Sequence, residues 1–203
     1  MLSKNASIIL ILLAPSLLRG ETGLIMLTRF DRPPDTVAIE SMQEEAAGLF
    51  SDAGLTFSWR QDVPSNGLLA GVPPVWVQFH GNCRLDPAVV PTGGPMATTS
   101  VSDGRIRPIV NVDCDRTAAV VWQIRSTLPA PLVTRAFGRA LGRVLAHELY
   151  HYLTQSAIHT ESELFSKAMD GRRLTAPNVR FEPGEIEALR KGVAELAAIR
   201  VRT

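Results

Sequence analysis

Three of the four histidines in this 203-residue chain fall within residues 147–159, which read H-E-L-Y-H-Y-L-T-Q-S-A-I-H. His147 and His151 are four residues apart. On a helix that spacing puts both imidazoles on one face, where they can reach a single metal ion. Glu148 then stands near the same ion and is placed to act as the base that takes a proton from a water the ion has acidified. Two histidines do not hold zinc alone. A catalytic site takes a third protein ligand and keeps one position open. His159, eight residues past His151, supplies that ligand if the chain turns back over Gln155-Ser156-Ala157. Glu161, Glu163 and Glu185 are the rival donors.

The spacing predicts a long helix from about Leu132 to Thr154 to carry the pair. At 100° per residue, Phe137, Leu141, Val144, Leu145, Glu148 and Tyr152 share one face. Arg135, Arg139 and Arg143 form a stripe on the opposite side, continued by Ala146 and Tyr150. His147 and His151 fall on the flank between, beside Ala140, so an apolar face anchors the helix while both imidazoles look into a cleft. Glu148 sits amid apolar neighbours, where an unpaired carboxylate is costly. Either a metal-site role or one of the many arginines must compensate it. Gly138 and Gly142 share another side and cost roughly 1 kcal/mol each in helix propensity, which points to a close backbone contact there.

The elements that position this helix read as follows. Gly23 to Arg29 is a first strand, broken by Asp31-Arg32-Pro33-Pro34-Asp35. Thr36 to Ala53 has helical spacing at Val37, Ala38, Met42, Ala46, Ala47 and Phe50 and ends at Gly54. Leu55 to Arg60 and Val75 to Phe79 are strands, followed by a loop rich in Pro, Gly and Asp from Gly81 to Pro95. Ala97 to Val101 and Ile106 to Val112 form a hairpin about Asp103-Gly104. After the long helix come a short helical stretch near Glu161 to Met169 and a last helix from Pro183 to Val201, where Pro183 suits a first turn and Glu185 and Glu187 face its positive end. The expected fold class is α+β, with a mixed, mostly parallel sheet of about five strands backed by helices and the metal motif on the second long helix.

Composition narrows the function classes. At 45% hydrophobic and 20% charged residues the chain can bury a core, and 203 residues suit one domain. A net charge of +1 gives no electrostatic case for nucleic acid or an anionic membrane surface as partner. Residues 1–20 differ in kind: Lys4 precedes an apolar run from Ala6 to Leu18, which suits a signal peptide better than a membrane span. The expectation is a leader over 1–20 and one exported domain over 21–203, with an uncleaved membrane anchor as the alternative. Cys83 and Cys114 are the only cysteines. In an oxidising compartment they would pair, closing a loop of about thirty residues worth about 3 kcal/mol; otherwise they are two half-buried thiols. They lack the C-x-x-C spacing of a metal site.

The segment 147–159 resembles the zincin metallopeptidases, and within them the metzincins. The likeness extends along most of 21–203 in its order of strand, helix, strands, active-site helix, third histidine and C-terminal helix. It implies zinc held by His147, His151 and His159, Glu148 as general base, and hydrolysis of protein or peptide substrates. His147, Glu148 and His151 match H-E-x-x-H-x-x-G-x-x-H, but Thr154 occupies the glycine position. Ala157 stands at the third histidine's place, so His159 comes two residues late on an extended linker. The methionine turn of that family falls to Met169, with Phe165 as the other occupant, and the edge strand that pairs with substrate falls to Ala97–Val101. Tyr150 and Tyr152 are the only tyrosines and none lies downstream, so oxyanion stabilisation falls mostly to zinc. The departures leave room for a second expectation: a non-catalytic zincin-fold protein with a structural zinc or a binding role.

Overall fold

The computed structural model describes residues 22–61, 74–85, 93–159 and 169–200. Five strands form one sheet in the order β2-β1-β3-β5-β4, from β1 (Thr22–Phe30), β2 (Leu55–Arg60), β3 (Val75–His80), β4 (Ala97–Ser102) and β5 (Arg105–Asp113). The first four in that order run parallel, and β4 lies antiparallel at the edge. The fold is therefore α+β with a mostly parallel five-stranded sheet backed by helices. Its strand bounds follow the alternation in the sequence to within a residue or so. The β4–β5 turn places Asp103 and Gly104 at φ 52° and 68°, the two positive values of a tight hairpin whose twist matches its strands. Further along, Thr99 faces Val110 while Val101 faces Ile106, so β5 carries extra residues between the two pairs. Pro108 lies among them. It has no N–H for the ladder, and a bulge is where a strand tolerates it.

Side chains alternate across the sheet, and one face carries the core. Leu24 and Met26 from β1, Val75, Val77 and Phe79 from β3, and Val110 and Val112 from β5 pack against helix side chains. Those helices are α1 (Thr36–Ser51), α2 (Cys114–Ile124), α3 (Val133–Thr154), α4 (Gly171–Thr175) and α5 (Pro183–Arg200). The sequence reading passes over α2. Its start signal is present all the same, since the Asp113 side chain accepts a hydrogen bond from the Arg116 backbone N–H. The disulfide Cys83–Cys114 forms, with both residues fully buried and Cα atoms 4.6 Å apart, and it ties the segment after β3 to the first residue of α2. No described helix is long and apolar enough to cross a membrane. The leader over 1–20, and all of the helical stretch near Glu161 to Met169 except Met169 itself, lie outside the described residues.

Helix α3 departs from the two-faced reading. Every residue from Ala136 to Leu153 except Arg139 is buried, so of the arginine stripe only Arg135, just before that stretch, is exposed. Arg143 is only 2% exposed. Its Nε donates to Glu45 Oε1 of α1 at 2.6 Å, and Nη1 and Nη2 donate to the carbonyls of Arg173 and Ala176 at 2.6 and 2.5 Å. Arg139 also reaches Glu45, at 3.5 Å. The stripe thus binds α3 to α1 and to the segment around α4. Such an ion pair is tolerable only because its remaining donors meet carbonyl acceptors.

The two glycines of α3 supply the close contact their cost implied. A Cβ at Gly138 would stand 2.3 Å from the Ala38 carbonyl oxygen, and one at Gly142 would stand 2.7 Å from that of Met42, so α1 crosses α3 backbone to backbone. Gly192 of α5 approaches the far end of α3 in the same way, at 2.0 Å from the Leu153 carbonyl oxygen. Gly138→Ala should therefore lower stability by roughly 1–3 kcal/mol, as overpacking does. Gly48→Ala, in open space on α1, should raise it by up to about 1 kcal/mol. Urea midpoints of the two variants check this, and an unchanged midpoint for Gly138→Ala would contradict the close crossing.

Candidate metal centre

The metal motif ends at a helix stop, and that stop places the third histidine. Gln155 adopts the left-handed conformation at φ 52°, ψ 34°. Its N–H donates to the Tyr152 carbonyl and that of Ser156 to the His151 carbonyl, both at 3.3 Å, which is the paired bonding of a Schellman turn. The chain reverses here, one residue past Thr154. The longer linker then carries His159 back to the helix.

Three imidazoles converge as a result. His147 Nε2 lies 3.0 Å from His151 Nε2 and 3.2 Å from His159 Nε2, and all three donor atoms fall within 4.8 Å of one another. Nitrogens about 2.0–2.1 Å from a tetrahedral zinc ion stand about 3.3–3.4 Å apart, so the cluster has the size of a zinc ligand set. Its proton arrangement agrees. His151 Nδ1 is 2.6 Å from the Ser156 carbonyl, which only accepts, so Nδ1 carries a proton and Nε2 is the atom that faces the cluster as the candidate ligand. One proton can bridge two nitrogens but not three, whereas one cation can bridge all three. The described residues thus fit a divalent metal ion held by His147, His151 and His159.

Glu148 is buried beside these rings, at 8% exposure. No arginine pairs with it among the described residues. Instead Thr99 of β4 donates its hydroxyl to Glu148 Oε2 at 2.5 Å. Burial pushes the Glu148 carboxyl above its usual range, against the Thr99 hydrogen bond and the His151 charge, which both lower it. Thr99 and the Ser156 carbonyl are the parts of the site that the sequence reading missed. Thr99 was legible only as part of the edge strand, and a carbonyl leaves no mark in residue type.

The remaining candidates separate clearly. Glu185 is buried, but its Oε2 accepts the Glu182 N–H at 2.8 Å at the start of α5, outside the histidine group. Its charge acts on Tyr150, whose phenol is raised by burial first and by Glu185 second. Glu161, Glu163 and Phe165 lie outside the described residues. Met169 is half-buried against the core, one residue before Asp170, whose side chain caps α4. His80 lies apart, half-exposed and 3.1 Å from Asn111 Oδ1.

Compared with known protein families, curated proteins and solved structures, the chain matches none.

A raised carboxyl binds its proton more tightly in the folded chain, so metal-free stability is lost as pH rises from the unfolded-state value of 4.5 toward the folded one. Glu148→Gln removes that loss and can still accept from Thr99. The metal-free variant should therefore melt at a higher temperature than the metal-free parent at pH 7, and the two should converge below about pH 4. Thermal melts in chelator across that range check the sign; a variant no more stable than its parent at pH 7 would contradict it.

Proposed function

We propose that this chain is an exported zinc metallopeptidase of the zincin type, hydrolysing peptide bonds in protein or peptide substrates with Glu148 as general base. The observation that carries the reading is the convergence of three imidazole nitrogens beside a buried carboxylate. Three imidazole donors match the number of protein ligands that a catalytic zinc site uses. His159 and Ile158 are exposed, giving the centre an approach from solvent. The buried disulfide suits an oxidising compartment, in keeping with a leader over 1–20.

Zinc, when bound there, supplies Lewis acidity that polarises a carbonyl oxygen and acidifies water. The protein's own groups supply the rest. His147, His151 and His159 present Nε2, and the Ser156 carbonyl fixes the His151 tautomer. Glu148 takes a proton from the attacking water and returns it to the departing amine. Its burial shifts the carboxyl toward the protonated form, the form that makes the second transfer. Thr99 holds Oε2 and so leaves Oε1 for the proton. The same strand, β4, ends the sheet, and its outer backbone edge can pair with an extended peptide.

The test is the purified protein and its Glu148→Gln variant, assayed on an unfolded protein substrate with zinc content measured in parallel. Hydrolysis should fall by about 10²–10⁴-fold while zinc stays near one per chain. Equal hydrolysis by the two, or none by a zinc-loaded parent, would sink the peptidase reading. The second of these results would leave a zincin-like fold with structural zinc or a binding role.

A further inference from the structure

We propose that Gln155 is a positioning residue for the third metal ligand: its side chain fastens the turn before His159 to the β4–β5 hairpin. The inference rests on the metal-site reading above. Gln155 ends α3 in the left-handed region at φ 52°, a conformation glycine adopts freely and glutamine does not. Glycine is the usual occupant of such a turn, so a strained glutamine there has a use for its side chain. That use is visible. Oε1 accepts the Ile106 N–H at 3.2 Å, and Nε2 donates to the Ile106 carbonyl at 2.9 Å and to the Tyr152 carbonyl at 2.7 Å.

Ile106 has both backbone groups available for this purpose. The β3 pairing of β5 begins only at Ile109, while β4 lies across from Ile106 through Val101. The carboxamide of Gln155 therefore does for Ile106 what a neighbouring strand would do. One side chain binds three things together: the end of the helix that carries His147 and His151, the loop 155–159 that returns His159, and the hairpin whose Thr99 holds Glu148. A linker two residues longer than the family spacing has more ways to place its histidine, and this clamp selects one of them.

The experiment is zinc affinity, measured by competition with a chromophoric chelator, for the parent, Gln155→Gly, Gln155→Asn, His159→Ala and the double variant Gln155→Gly/His159→Ala. Glycine and asparagine both suit the left-handed backbone, but glycine has no carboxamide and asparagine is one methylene too short to reach Ile106. Both single variants should remain folded by circular dichroism and bind zinc about ten- to hundred-fold more weakly, the usual effect of losing a group that orients a ligand. In the His159→Ala background, Gln155→Gly should change affinity by less than about two-fold, because the ligand it positions is gone. Affinity within about two-fold of the parent for both single variants would overturn the proposal, as would an equal loss with and without His159. A His159→Ala variant that binds zinc as tightly as the parent would instead remove the three-histidine site itself. That failure is distinct, because it is read from a different variant.

Discussion

Helix α3 is buried along nearly its whole length, and everything at its centre has to be paired because of that. A buried helix satisfies its own backbone but offers no water to its side chains. Arg143, His147, Glu148 and His151 all lie on this stretch and are all nearly inaccessible. Three of them are met by a group from another part of the chain: Arg143 by Glu45 and two carbonyls, Glu148 by Thr99, His151 by the Ser156 carbonyl. Those partners come from α1, the segment around α4, β4 and the Schellman turn. The need to satisfy one helix therefore fixes how most of the other elements sit around it.

The pairing of Arg143 works at a distance from the histidine cluster but serves it. The guanidinium spans from α1 to the carbonyls flanking α4, and Gly138 and Gly142 let α1 press against the α3 backbone beside it. With α1 on that side and the sheet on another, α3 has little freedom to rotate about its axis. Rotation is the movement that would turn His147 and His151 away from His159. Packing that looks like ordinary core formation thus supplies the angular precision a three-ligand site demands.

The sequence makes some of this legible and hides the rest for identifiable reasons. Leu55–Arg60 and Val75–Phe79 read as strands because their side chains alternate, and the hairpin because Asp103-Gly104 fits only a few turns. His147, Glu148 and His151 read as one site because local helical spacing alone brings them together. The disulfide was open until the fold placed Cys83 and Cys114 side by side. Helix α2 was lost because Thr117, Val120, Val121 and Trp122 look no more helical than extended, and only its cap betrays it. The arginine stripe reads only as the side opposite the apolar face, since nothing in three spaced arginines announces Glu45 on another helix. Contacts made far along the chain, Thr99 with Glu148 and Gln155 with Ile106, carry no local signature at all.

The same burial gives the proposed metal its place in the energetics of the fold. A carboxylate and two imidazoles in the interior are a cost to the metal-free chain, and the raised proton affinity of Glu148 is the visible sign of it. A divalent cation at the three nitrogens would meet their lone pairs and sit near that carboxylate, so it would bind the folded chain and not the unfolded one. Binding of that kind adds stability by mass action, about 2.7 kcal/mol when free metal exceeds its dissociation constant a hundred-fold. The burial that holds these side chains in place is therefore also what makes the empty site unfavourable. On the proposed reading, folding of the last turn of α3, return of His159 and capture of zinc are one coupled event rather than three separate ones.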